Sequence, residues 1–262
     1  MFGAHLSNNC LYTIPTTTKT YGMSTFQIFL RNNRNMSRRQ YPDYEIQWFN
    51  ERLLSEGIYK FVIHASYAMN PCDNLERYRK IVRDDFSLMS RMAGEQFYVL
   101  HPGSSKTQSL YAAFNNLEHF VREVTTYSPN VKIALEYMAG AGTQVISSIA
   151  QLNYVAEMFK DLSNVCFCID TCHVYASGED LDEVFKTVSG RVGVIHLNSS
   201  QAAKGTHVDR HANLGTGVDD LIETLKSVKR YHLKYPDVPI ILETPSDGVD
   251  KDLEICKQIF VV

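Results

Sequence analysis

Short apolar runs alternate with longer stretches of helical periodicity along the whole chain. The runs Met1–Ser7, Thr25–Leu30, Phe61–Ser66, Phe97–Gly103, Val131–Tyr137, Val165–Asp170, Val192–Asn198 and Pro239–Thr244 read as strands. Most are nearly continuous in apolar residues, as parallel strands covered on both faces are. Between them, Tyr44–Glu56 sets Ile46, Phe49, Leu53 and Leu54 at helical spacing. Asn74–Met92, Gln108–Tyr127, Val145–Asp161, Asp180–Val188 and Val218–Tyr235 follow the same pattern, and Lys251–Phe260 ends the chain as a helix. The connection Asn8–Ser24 is rich in Thr and contains Pro15, which predicts a short helix or none. Strands separated by helices predict parallel βαβ units, and eight such units close into an α/β fold, a single (β/α)8 TIM barrel. No linker, repeat or low-complexity segment divides residues 1–262, so one domain is expected.

Ionisable residues fall at particular places in this pattern. The stretch from His196 to His211 reads H-L-N-S-S-Q-A-A-K-G-T-H-V-D-R-H. In extended backbone, residues i and i+2 point the same way, so Asp209 and His211 can reach one cation. Zinc takes this donor pair, at about 2.0–2.2 Å. One such pair is equally a solvated loop, but the arrangement recurs. The first strand ends at His5, the third at His64, the fourth at His101 and the fifth at Glu136. The sixth ends at Asp170 with His173 just after, the seventh at His196, and the eighth at Glu243. In a barrel these ends share the face on which active sites are built.

Each residue alone has a bland account. A strand-end His is commonly a satisfied rim residue, Glu136 and Glu243 can pair with Lys or Arg, and Asp170 can cap the next helix. Together, with His5 set aside, nine carboxylates and imidazoles converge with few cations among them, and buried acids need neutralising. That points to metal, and nine donors are too many for one ion. Two or three close ions fit better.

The bulk numbers narrow the field without deciding it. The formal charge of the 262-residue chain is −3, without the basic footprint of most nucleic-acid binders. Dications in one cleft would make the local field positive, so a phosphate-rich substrate stays admissible. Six cysteines lack a disulfide-framework spacing, and Cys166 and Cys168 sit in an apolar strand, so buried, reduced thiols are expected. No apolar run reaches the ~18 residues of a membrane span. The N-terminus MFGAHLSNN lacks a basic segment followed by an apolar one, so no signal peptide, no membrane association and an intracellular location are expected.

These residues resemble the endonuclease IV family of zinc-dependent apurinic/apyrimidinic endonucleases (AP endonuclease family 2) nearly end to end. The resemblance rests on Gly3-Ala4-His5 with Ser7, His101-Pro102-Gly103-Ser104, and Glu136 with Ala139-Gly140 and Gly142. It continues through Cys168-Ile169-Asp170-Thr171-Cys172-His173, His196-Leu197-Asn198, Val208-Asp209-Arg210-His211 and Leu242-Glu243-Thr244. The pairing of D-T-C-H with V-D-R-H is its most specific part. The resemblance implies three zinc ions, with manganese admissible at one or more sites. His64, His101 and Glu136 would hold the first. Glu136 as a bridge, Asp170, His196 and Glu243 would hold the second, and His173, Asp209 and His211 the third. Glu136, Glu243 and Asp170 would carry catalysis through the metals they hold.

The implied reaction is hydrolysis of double-stranded DNA 5′ to an abasic site, leaving a 3′-hydroxyl and a 5′-deoxyribose phosphate, with repair of blocked 3′ ends, by a monomer. The resemblance also implies DNA contacts by Arg34, in the basic loop R-N-N-R-N-M-S-R-R, and by Tyr67. It places His5 behind the ligands or facing the substrate. Three departures stand out. Ala68 replaces a larger apolar wedge, Ser199 replaces an Asp after His-Leu-Asn, and Asn8, Asn9 and Cys10 replace small residues and glycines. His207 has no counterpart and is expected to be exposed. Two alternatives share these residues: a metal-dependent sugar isomerase or epimerase on a similar barrel, and a non-catalytic binder of damaged DNA.

Overall fold

The computed structural model describes residues 1–260; Val261 and Val262, the end of the expected domain, lie outside the described residues. Strands β1 (Phe2–His5), β2 (Thr25–Phe29), β3 (Lys60–His64), β4 (Glu95–Leu100), β5 (Val131–Glu136), β6 (Val165–Asp170) and β7 (Val192–His196) run in chain order. A two-residue-strand hairpin, β8 (Ser199–Ser200) with β9 (His211–Ala212), precedes β10 (Ile240–Leu242). β10 pairs with both β7 and β1, and the eight parallel strands form a closed barrel. Closure leaves no strand edge in the barrel unpaired.

Alternation along each strand builds two cores. Val62, Phe97, Val99, Ala134, Cys168, Val194 and Ile241 pack inside the barrel. Their neighbours along the strands, such as Ile63, Tyr98, Ile133, Phe167 and Ile195, pack outward against the helices. The helices present matching stripes. In α2 (Asp43–Ser55), Ile46, Phe49 and Leu53 are buried, and each such side chain stabilises the fold by roughly 1.5–3 kcal/mol. Ser109 caps α4 (Leu110–Val124), Ser148 caps α5 (Ile149–Met158), and Asp220 caps α8 (Leu221–Lys234). Each side chain accepts an otherwise orphan backbone N–H.

All eight expected strands form, but several stop short of the expected ends. His101 and Glu243 lie one residue beyond β4 and β10 rather than within them. The chain between β1 and β2 does form a helix, α1 (Ile14–Thr20), of seven residues with Pro15 in its first turn, where a missing N–H costs nothing. One helix was not anticipated. α6 (Thr171–Ser177) follows β6 without a loop and buries Thr171, Cys172, His173, Val174 and Ala176, so it carries no polar face to reveal its period. α3 (Glu76–Met89), α7 (Leu181–Thr187) and α9 (Val249–Phe260) complete the outer layer. All six cysteines are unpaired. Among the described residues, no helix is long and apolar enough to cross a membrane.

Candidate metal centre

The strand period that fills the barrel also builds the site. His64, His101, Glu136, Asp170, His196 and Glu243 each lie two residues past an interior residue: Val62, Val99, Ala134, Cys168, Val194 and Ile241 respectively. They therefore project into the same lumen, one layer nearer the C-terminal mouth. His5 on β1 and Gln27 on β2 stand beside this layer, paired in register. Glu136, Asp170 and His196 are fully buried, and His64 and His173 nearly so.

Glu136 sits at the centre. Its Oε2 lies 3.2 Å from His64 Nε2 and 3.1 Å from His101 Nε2. Its Oε1 lies 3.3 Å from His196 Nδ1. His196 Nδ1 also lies 3.0 Å from Glu243 Oε2 and 3.8 Å from Asp170 Oδ2. On the far side, Asp209 faces His173 Nε2 at 3.2 Å and His211 Nε2 at 3.3 Å. Asp170 Oδ2 joins that group, 3.4 Å from His211 Nε2. Donor atoms of His64, Glu136, His196 and Glu243 lie within 4.8 Å of one another, as do those of Asp170, His173 and His211. Eight of the nine expected donors thus fall in three adjoining groups, and His101 joins them through Glu136 Oε2.

The hydrogen bonds around these donors are of a metal-ready kind. His64 Nδ1 donates to the Ala65 carbonyl at 2.7 Å, and His173 Nδ1 to the Tyr137 carbonyl at 2.9 Å. His211 Nδ1 donates to the Glu243 carbonyl at 3.1 Å. Each bond fixes the tautomer and turns the Nε2 lone pair inward. His173 Nε2 and His211 Nε2 are buried and make no hydrogen bond among the described residues, although Asp209 oxygens lie within 3.3 Å. Lone pairs and carboxylate oxygens that face each other without an aligned proton suit a shared cation.

The charges agree. Among the described residues, every ion-pair partner of Glu136, Asp170, Asp209 and Glu243 is a histidine; no Lys or Arg pairs with them. Burial opposes ionisation of Glu136 and Glu243, yet His101 and His196 beside the first and His196 beside the second hold both well below the carboxylate range. Burial works against the His211 imidazolium, but Asp170 and Asp209 prevail and hold it up to about 9. Burial likewise depresses His173, and Asp170, Asp209 and Glu136 raise it well above its ordinary value. This cluster demands positive charge, which metal can supply in place of protons. Cys172 reaches the third group, but burial pushes its thiol up to about 12, so it is neutral near pH ~7.

Asp170 combines its bland and its chemical roles. Oδ1 caps α6 by accepting from Cys172 N at 2.7 Å and His173 N at 3.1 Å, while Oδ2 faces the imidazoles. Gly103, at φ +103°, keeps the chain after His101 close to Asn70; a Cβ there would lie 1.8 Å from Asn70 Oδ1. His5 Nδ1 lies 3.3 Å from Glu243 Oε1, behind the donor layer. Tyr67, 44 % exposed, stacks on His101 with ring centroids 5.0 Å apart and meets His64 edge-on. Ala68 lies beside it on the wall of a cleft of about 260 Å³ that also includes Ser104 and Gln144. Arg34 is exposed on the β2–α2 loop, its N–H held by Asn32 Oδ1 at 2.9 Å. His207 is exposed as expected, donating to the Ala139 carbonyl.

Two residues of the site were given no role by the sequence reading. Asn198 Nδ2 donates to Asp170 Oδ2 at 2.8 Å, and its Oδ1 accepts the Glu243 N–H at 2.9 Å. The buried Ser199 at the departure position touches Gly215 rather than these acids. Gln27, fully buried, bonds to His5, His196 and Glu243. The signal was present: a lone amide inside T-F-Q-I-F must find partners if buried.

Residues 16–259 match the xylose isomerase-like TIM barrel family. The chain is 35% identical over 200 residues to the probable endonuclease 4 of Mycoplasma genitalium, a match spanning 72% of this chain and 68% of that one. It is 32% identical over 244 residues to the probable endonuclease 4 of Staphylococcus aureus, across 88% of this chain and 82% of the other. The crystal structure of endonuclease IV from Thermus thermophilus superposes with a TM-score of 0.80 at 26% identity, covering 99% of this chain and 97% of that one. D-psicose 3-epimerase from Clostridium cellulolyticum shares the fold, at a TM-score of 0.75 and 11% identity over 99% of both chains.

Proposed function

The chain belongs to the endonuclease IV family within the xylose isomerase-like TIM barrels, and on that premise we propose that it is a zinc-dependent DNA-repair hydrolase. It cleaves the phosphodiester 5′ to an abasic site in duplex DNA, leaves a 3′-hydroxyl and a 5′-deoxyribose phosphate, clears blocked 3′ ends, and acts as a monomer. One observation carries the reading: among the described residues, four clustered carboxylates form ion pairs with imidazoles alone, in three adjoining groups at the barrel mouth.

His64, His101 and Glu136 would hold one zinc. Glu136, Asp170, His196 and Glu243 would hold the second, and His173, Asp209 and His211 the third. Bound there, zinc supplies an acidified water near neutral pH and neutralises charge on a phosphodiester. The chain does the rest. Glu136 offers one oxygen to each side, and Asn198 aligns Asp170 with Glu243. Tyr67 covers His101 and His64 from the solvent side and offers a ring face to the DNA. Arg34 meets a phosphate from its exposed loop. An abasic nucleotide lacks base stacking, which lowers the cost of turning it into the mouth.

The test uses a duplex with one abasic analogue resistant to β-elimination, the native protein and Glu243→Gln, with metal counted in both. A nick on the 5′ side by the native protein, lost or greatly reduced in the variant, supports the assignment. Tight binding without a nick, with zinc present, turns the reading to a damage binder. Neither binding nor cleavage by the metal-loaded protein rejects it and sends the site to small sugars, as in the epimerase fold neighbours.

A further inference from the structure

Seven of the eight barrel strands place a charged or imidazole residue of the site at their C-terminal end or one residue past it; the eighth, β2, contributes Gln27. Its side chain is fully buried and fully partnered. Nε2 donates to Glu243 Oε1 at 2.5 Å and to His5 Nδ1 at 3.0 Å, and Oε1 accepts from His196 Nε2 at 2.9 Å. The amide orientation follows from its partners, because a carboxylate oxygen accepts only a donor and so must face the NH2 group.

We propose that Gln27 is the positioning residue of the second metal position, setting the tautomer of His196 and the free oxygen of Glu243 with a single amide. The inference rests on the metal reading above. By accepting from His196 Nε2, Gln27 places the ring proton there and leaves the Nδ1 lone pair facing Glu136, Asp170 and Glu243. By occupying Glu243 Oε1, it leaves Oε2, the oxygen next to His196 Nδ1, as the donor. No other type of side chain does both at this length. Glu lacks the N–H for Glu243 and would set two carboxylates against each other. Met fills the space but leaves both partners unoriented. Partners of this kind tune metal affinity about 10- to 100-fold.

The experiment compares native protein, Gln27→Met and Gln27→Glu by zinc content and by competition with a chromogenic chelator. The native protein should hold zinc in more than one affinity class. Gln27→Met should weaken one class about 10- to 100-fold and leave the others unchanged. Gln27→Glu, nearly isosteric, should weaken the same class and carries the test if the Met variant does not fold. Equal weakening of every class would mark a merely structural role and overturn the inference, as would native-like binding in both variants. Native protein that binds no zinc would instead overturn the metal reading itself.

Discussion

In metal-free protein, raising the pH should lower stability within a window set by the histidines of the cluster. Burial disfavours the His211 imidazolium, but Asp170 and Asp209 outweigh it, so the ring titrates at about 9 instead of 6.5. A base held above its unfolded value stabilises the fold fully below that unfolded value, and the contribution is lost as pH rises through the folded one. The window therefore runs from about pH 6.5 to about pH 9. At ~1.4 kcal/mol per pH unit, His211 alone accounts for about 3 kcal/mol. For a chain of this size, 1 kcal/mol moves Tm by roughly 2–4 °C, so the fall is about 6–12 °C. His173 and His196 are raised as well and add with the same sign. The depressed carboxylates Glu136, Asp209 and Glu243 matter only in acid and are flat across this range. The N-terminal amine, lowered by burial, acts the other way, but only below about 8. With zinc bound, ring protons give way to metal, and the slope should vanish. Calorimetry of chelator-treated and zinc-saturated protein at several pH values tests this. A metal-free Tm that is constant or rising between about pH 6.5 and 9 would refute the reasoning.

Two further outcomes follow from the loop that carries Arg34. Asp85 is buried and receives Arg31 Nε at 2.7 Å, Arg38 Nη1 at 3.4 Å and the Tyr98 hydroxyl at 3.0 Å. Asp85→Asn removes the buried carboxylate from Arg31 and Arg38 and leaves the Arg31 guanidinium only the Met36 and Ile81 carbonyls and the more distant Asp84; it should cost about 3 kcal/mol in urea unfolding at unchanged m-value, and a loss below about 1 kcal/mol would mean that the pair is dispensable. Arg34→Ala should weaken duplex binding and reduce the slope of log K against log salt by about 1, with zinc content and Tm unchanged; an unaltered slope would remove Arg34 from the interface.

Much of this architecture was legible because local pattern suffices for it. Apolar runs separated by helical stretches mark eight strands, and eight parallel βα units close into a barrel. The reading faltered where burial is uniform. α6 is covered on nearly every side by β6, β8 and its own neighbours, so no polar stripe betrays its period. Strand ends ran long at His101 and Glu243 because an apolar run says where a chain is covered, not where its ladder of hydrogen bonds stops. α1 formed, although Thr is a weak helix former, because Ile14 and Thr18 bury one side of it.

The site divides along the same line. His64, Glu136, Asp170 and His196 are strand termini, and the period that sends Val62, Ala134, Cys168 and Val194 inward carries them into the mouth. Their convergence was therefore implicit in spacing alone. Asp209 and His211 were legible by a different rule, because an extended backbone presents both to one side, and His211 does begin a strand. What no spacing contains is contact across the barrel. Gln27 meets Glu243 at a separation of 216 residues and His196 at 169, and it does so only because β10 closes onto β1 beside β2. Asn198 joins Asp170 to Glu243 across 28 and 45 residues because β7, which it follows, pairs with both β6 and β10. Donors are written in the strands, whereas their orientation is written in closure. Substitutions at orienting positions should thus shift metal affinity and leave the barrel intact, since the interior layer beneath them is apolar and packs without them.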